Sequence, residues 1–240
     1  MIRVEKAGVC DAAALLEIYA PYVRDTAITF EYDPPSAEEF EERIRTISEE
    51  YPYIKAVDED GSIVGYAYAS AFKKRAAYDR SVEVSIYVRR DSRQSGVGRL
   101  LYNALEVSLR NMGIINLCAC ITVPSDGCEE DPSELSAAAC LPSKHLESER
   151  GLSERSDWDS KVLPRVTWDS FRFHLKMGYT LAGRLHRIGY KFGCWYDIVW
   201  MEKALGEHKT SPDEVRIGDW QLPDERQISH EKAKRLTDAK

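Results

Sequence analysis

The stretch RQSGVGR (93–99) lies where a strand-like run, SVEVSIYV (81–88), gives way to a helix-like one. The first turn of a helix carries backbone N–H groups without partners and the positive end of the helix dipole, so glycines there let an anion approach bare amides. Arg93 and Arg99 add charge, and the chemistry this pattern suggests is phosphate binding. The spacing is neither the G-x-x-x-x-G-K-[ST] of a nucleotide-binding loop nor the G-x-G-x-x-G of a dinucleotide fold. Taken alone, it is equally an ordinary strand-to-helix turn. Three further groups have usable chemistry. Glu83 is a carboxylate on the preceding strand, a residue of the solvated face or a proton acceptor. FKKRAAY (72–78) gathers Lys73, Lys74, Arg75 and Tyr78, either a solvated loop or a site for a carboxylate or phosphinate, which Arg holds through two parallel hydrogen bonds. His174 titrates near neutral pH on a second helical stretch.

These residues need elements to hold them. IRVEKA (2–7) alternates as a strand, and CDAAALLEIYAPYV (10–23) repeats its apolar residues at helical spacing. Ser36 and Glu39 form a capping box for a helix over 36–49, and the loop before it, RDTAITFEYDPP, carries Phe30 and Glu31. YIKAV (53–57), DEDG (58–61) and SIVGYAYASAF (62–72) predict a hairpin, with 81–88 as its neighbour. From Val97 to Met112 apolar residues recur at i, i+3, i+4, an amphipathic helix ending near Gly113, and 115–123 is a buried strand. Residues 125–166, rich in Ser, Glu and Asp, have no sustained period and predict a flexible surface insertion. WDSFRFHLKMGY (168–179) is a helix stopped by Gly178, two strand-like runs follow with Gly193 at their junction, and 206–240 predict a polar tail.

In 240 residues, 43% hydrophobic content suffices for a substantial core. A net charge of −7 argues against nucleic acid as the partner. No apolar run is long enough for a membrane span and the N-terminus has no signal-peptide core, so a cytoplasmic protein is expected. The six cysteines lack C-x-x-C spacing and are expected to be reduced. Cys128, Cys140 and His145 have the residue types of a zinc site but irregular spacing, and no metal is expected.

RQSGVG (93–98) matches [QR]-x-x-G-x-[GA], and with the element order β, α, α, β, β, β, α, β, α, β, β the chain resembles the GNAT acetyltransferases. IYAPYVRDTAITFEYDPPS, GYAYASAFKKRAAYDRSVEVSIYV and GYKFGCWYDIVWMEKAL narrow the resemblance to the phosphinothricin and methionine-sulfone acetylating members, over about 1–124 and 167–205. The resemblance implies a mixed, mostly antiparallel α/β fold of one domain, 1–205, and acetyl-CoA as co-substrate. It implies the pyrophosphate on Arg93, Gln94, Ser95, Gly96, Val97, Gly98 and Arg99, the pantetheine arm along the strand, and a thioester carbonyl polarised by backbone at Ile86, Tyr87 and Val88. Glu83 becomes the base that frees the amine lone pair, with Glu31 a second carboxylate. His174 falls in the slot of the family's thiolate-protonating Tyr, and Ser170 in that of a CoA contact; Thr167 replaces the family's usual Asn nearby. Phe30, Glu31, Arg75 and Tyr78 would then border a small amino-acid-like amine. A polyamine, another xenobiotic amine or a protein N-terminus would suit the same chemistry, and a non-catalytic acyl-CoA-binding protein is the rival of another class. A homodimer is expected from the resemblance.

Overall fold

The computed structural model describes residues 2–93, 95–125, 165–224 and 226–228. Seven strands form one sheet: β1 (Arg3–Lys6), β2 (Tyr53–Val57), β3 (Ile63–Ala71), β4 (Ser81–Val88), β5 (Asn116–Val123), β6 (Thr180–Lys191) and β7 (Cys194–Ala204). Their order is β1-β2-β3-β4-β5-β7-β6, and only β4 and β5 run parallel.

Alternation along the strands divides the core into two faces. Tyr53 and Tyr66 turn to α1 (Ala12–Asp25) and α2 (Ala37–Glu50), where they meet Tyr19, Tyr22 and Phe40. Their neighbours Ile54 and Ala67, with Val82 and Val84, turn to the larger cluster under α3 (Val97–Asn111) and α4 (Asp169–Lys176). The capping box that starts α2 forms as expected, with Ser36 Oγ accepting from the Glu39 amide at 3.1 Å and Glu39 Oε2 from the Ser36 amide at 2.9 Å. Phe192 and Gly193, at φ 53° and 77°, make the two-residue turn between β6 and β7, a conformation that matches strand twist.

The described residues after Ala204 are not a free tail. Trp220 is buried, its indole N–H donating to the Ser48 carbonyl at 3.1 Å while the Lys6 ammonium lies 4.3 Å from its ring centroid. Ser108 Oγ donates to the Gln221 carbonyl, and the Arg216 amide to that of Met112. A polar composition hid the few apolar residues, Trp220 and Ile228 among them, that join the main core. Of the expected insertion, 126–164 lie outside the described residues, as do Cys128, Cys140 and His145. Among the described residues no helix is long and apolar enough to cross a membrane, and no three His, Cys, Asp or Glu converge as a metal site.

Candidate active site

The parallel strands β4 and β5 pair only at Ser81–Glu83 against Asn116–Cys118 and then part, although both continue for five more residues. The register decides which backbone groups this exposes. The Phe72 amide donates to the Ser81 carbonyl and the Arg89 amide to that of Val64, so Ser81, Glu83, Ser85, Tyr87 and Arg89 point their peptide groups at β3. The even-numbered residues point theirs at β5. Beyond the last pair, the Val84 carbonyl and both peptide groups of Ile86 therefore face the gap. Val88 faces it too, but the Tyr22 hydroxyl takes its carbonyl at 2.5 Å. Tyr87, expected among the backbone contacts, uses its N–H and C=O against Tyr66 and sets its ring edge-on to Tyr19 and Tyr22.

At the far end of β4 the chain enters α3. Gly96 is the N-cap at φ 88°, a left-handed conformation that costs a side-chain-bearing residue strain, and no side chain caps the helix. The first intrahelical bond is Leu100 N–H to the Gly96 carbonyl, which leaves the amides of Val97, Gly98 and Arg99 without intrahelical partners. Gly98 is required for a different reason: a Cβ there would stand 3.2 Å from the Phe173 ring, so it lets α4 approach α3. Ser95 Oγ donates to the Ser92 carbonyl at 2.6 Å, Arg93 lies over the Tyr22 ring, and Arg99 is exposed. Arg90 is committed to Asp25 and Arg89 to Asp91. Gln94 lies outside the described residues.

Glu83 occupies the near end of the gap, opposite Ser70 on β3 and Cys118 on β5. Burial raises its carboxyl pKa above the ordinary value, and Lys73 opposes the shift. Cys118 and Cys120 share its face; burial pushes both thiols up, Cys120 to about 11, so both stay protonated at neutral pH. Next along β4, the Ser85 hydroxyl hydrogen-bonds the Tyr68 phenol. Glu31 is drawn to the same face as α1 and α2: its carboxylate accepts from the Tyr19 hydroxyl at 3.0 Å and pairs with Arg43 at 2.7 Å. Tyr19 also meets Thr29 Oγ1 at 3.0 Å, and burial, ahead of the Glu31 charge, lifts its pKa to about 12. Phe30 seats its ring on Gly189 and beside Tyr196. Arg75 and Tyr78 are exposed on the β3–β4 connection, where the Tyr78 ring meets Phe72 and Phe72 in turn meets Trp200 of β7.

His174 is not brought to the gap. It is 3% exposed, with Nε2 2.9 Å from the Tyr102 hydroxyl and Nδ1 2.7 Å from the Ser170 carbonyl. Burial holds its pKa down at about 4, so the ring is neutral at pH 7. Both nitrogens are engaged inside the α3–α4 contact, and the Ser170 carbonyl is committed to that bond. Thr167 has a local task, its hydroxyl accepting from the Asp169 amide at 3.2 Å at the start of α4. Tyr22, Tyr19, Arg43 and Lys191 were not singled out from the sequence. Each acts through a partner more than ten residues away, and spacing along a helix or strand carries no signal of that.

A cleft between parting strands, with free amides at a helix start on one side and a half-buried carboxylate on the other, suits transfer of a group carried on a long phosphorylated arm. This is the class of acyl-CoA-dependent transferases. The chain belongs to the GNAT acetyltransferases: the family described as acetyltransferase (GNAT) domain matches residues 6–200. Among curated proteins it is 26% identical to phosphinothricin N-acetyltransferase of Streptomyces viridochromogenes, over 90% of this chain and 93% of that one. It is also 26% identical to L-methionine sulfoximine/L-methionine sulfone acetyltransferase of Pseudomonas paraeruginosa, over 87% and 98%. Among solved structures, a GNAT superfamily phosphinothricin acetyltransferase from Sinorhizobium meliloti in complex with AcCoA superposes with a TM-score of 0.68 at 29% identity, covering 91% of this chain and 97% of that one. The chain is thus an N-acetyltransferase of mixed α/β fold.

Proposed function

We propose that the chain acetylates the primary amine of a small amino-acid-like molecule, of the phosphinothricin, methionine sulfone or methionine sulfoximine type, with acetyl-CoA as donor. The observation that carries this reading is the parting of β4 from β5, with the free amides of α3 at one end and Glu83 at the other. The pyrophosphate of acetyl-CoA binds the amides of Val97, Gly98 and Arg99, with Arg93 and Arg99 supplying charge. The pantetheine arm then follows the open edge of β4, bonding the Val84 carbonyl.

Glu83 takes one proton from the bound ammonium, directly or through water, and the freed lone pair attacks the thioester carbon. The carbonyl becomes an oxyanion, which the Ile86 N–H is turned to receive; such a donor contributes about 3–4 kcal/mol. On collapse the C–S bond breaks, the second amine proton goes to the departing thiolate, and the products are the amide and CoA. Cys118 and Cys120, held as thiols, are poor nucleophiles, which favours direct attack over an acyl-enzyme. His174, neutral and engaged at both nitrogens, has no part in this sequence. Lys73 and Arg75 receive the acceptor's acidic group, Phe30, Glu31 and Tyr78 bound its pocket, and no metal enters.

The same reading includes a homodimer in the cytoplasm. Leu185, Ile188, Tyr190 and Trp195 are 46%, 55%, 47% and 55% exposed on the β6–β7 hairpin at the sheet edge, an apolar surface that a second copy would cover. Cys10, Cys118, Cys120 and Cys194 are free thiols, in keeping with a reducing compartment. CoA release with acetyl-CoA against a panel of amino-acid analogues and polyamines tests the function. Turnover is expected with the amino-acid analogues, and turnover with polyamines alone would refute the substrate class.

A further inference from the structure

The loop that carries Phe30 and Glu31 is fastened to β6 at three consecutive residues. Gly189 provides the flat surface under Phe30: a Cβ on it would lie 2.1 Å from the ring's Cζ. The Tyr190 carbonyl accepts from the Tyr32 hydroxyl at 2.7 Å. Lys191 is 1% exposed, and its three ammonium protons go to the carbonyls of Val23, Thr26 and Thr29 at 2.7, 2.9 and 2.8 Å. A lysine has three donors and no acceptor, so this ammonium is fully satisfied while shut away from water. Val23 lies in the last turn of α1, where carbonyls lack partners and the helix dipole favours a cation.

The clamp continues to the face of Glu83. Thr29 gives its carbonyl to Lys191 and its hydroxyl to Tyr19, and Tyr19 donates to Glu31, which Arg43 holds from the other side. The Glu31 charge also acts on Lys191 directly, favouring the ammonium form against burial. Tyr19 also sets its ring against Tyr87 of β4, but among the described residues no hydrogen bond of this chain of contacts reaches α3 or the peptide groups of Ile86. The β6–β7 hairpin is thus bonded to a loop between α1 and α2, far from it in the sequence.

We infer that Lys191 is a positioning residue for the amine acceptor: its ammonium, bound to three loop carbonyls, sets Phe30 and Glu31 in place and so determines acceptor affinity without contributing to acetyl-CoA binding. The inference rests on Phe30 and Glu31 bordering the acceptor pocket. It also explains a lysine that lies buried in a hairpin whose exposed residues include Leu185, Ile188, Tyr190 and Trp195.

The test uses the full chain as wild type, Lys191→Met and Gly189→Ala, with amine and acetyl-CoA varied separately and amide hydrogen exchange followed on each preparation. Lys191→Met keeps the aliphatic stem and removes the donors; Gly189→Ala leaves Lys191 intact and adds one methyl beneath Phe30. Both are expected to raise KM for the amine about tenfold or more, with kcat within roughly threefold and KM for acetyl-CoA within roughly twofold. Exchange at residues 26–31 should quicken in Lys191→Met while that of α3 stays as in wild type. Equal increases in both KM values, or unaltered exchange at 26–31, would overturn the inference. If Lys191→Met does not fold, Gly189→Ala carries the same kinetic test, and an unchanged amine KM there refutes it. If wild type acetylates no amino-acid analogue, the substrate reading fails, and exchange at 26–31 still decides whether the clamp exists.

Discussion

The two ends of β4 are built from different materials. Toward α3 the site consists of backbone: the peptide groups of Ile86, the carbonyl of Val84 and three helix amides, with Gly96 where the chain turns left-handed and Gly98 where Phe173 leaves little room for a side chain. Toward the acceptor side it consists of side chains from six segments of the chain: Glu83, Lys73, Tyr19, Glu31, Arg43 and Lys191. A backbone site is indifferent to most substitutions and suits a ligand that never changes. A site of side chains can be re-tuned one residue at a time, which suits the half proposed to choose the acceptor.

The largest effect that separates these halves is expected at Glu83. Glu83→Gln should lower kcat by about 10²- to 10⁴-fold while KM for acetyl-CoA stays put. The wild-type rate should fall on the acid side at a pH above the usual carboxylate range, because burial raises this carboxyl's pKa and the base form is lost as pH drops through it. Steady-state pH profiles of both proteins read this; an acid limb that survives in Glu83→Gln would move the base elsewhere.

Next comes the packing behind the backbone half. His174 titrates near 6.5 when unfolded and about 4 when folded, so it contributes stability that is fully present above pH 6.5 and is lost as pH falls toward 4. The loss should be about 3 kcal/mol, and His174→Gln should flatten that part of the curve in urea unfolding series. Gly96→Val forces a branched residue into φ 88° and should cost about 1–3 kcal/mol, read as stability lost and as an acetyl-CoA KM raised about tenfold with the amine KM unchanged. The smallest effect is expected at Arg43→Met. Both partners of its ion pair with Glu31 are substantially exposed, so thermal stability should shift by less than about 1 kcal/mol, and the change should show instead as a severalfold higher amine KM.

The same contrast governs what the sequence revealed. Backbone sites leave local traces: the glycine spacing at 96–98 marked the α3 start, and alternation at 81–88 marked the strand whose edge opens. Side-chain sites leave none when partners are far apart. Lys191 meets the end of α1 and the loop after it from 162 to 168 positions away, and Tyr22 reaches Val88 across 66. His174 misled because its helical register says which turn it belongs to and not whether Tyr102 already faces it across the helix contact. Tyr87 misled through parity, since one residue's shift along a strand reverses which neighbour its amide serves. The stretch after Ala204 looked unstructured because average polarity conceals one well-placed indole.

That indole has a consequence for how the molecule is made. Trp220 sits between Lys6 on the first strand and Ser48 near the end of α2, and the Glu214 carbonyl passes so near Gly113 that a Cβ there would stand 2.7 Å from it. During synthesis the sheet and its helices emerge before these contacts exist. Until the segment that carries Trp220 is made, the nascent protein lacks the contacts that tie β1 to the end of α2 on this side.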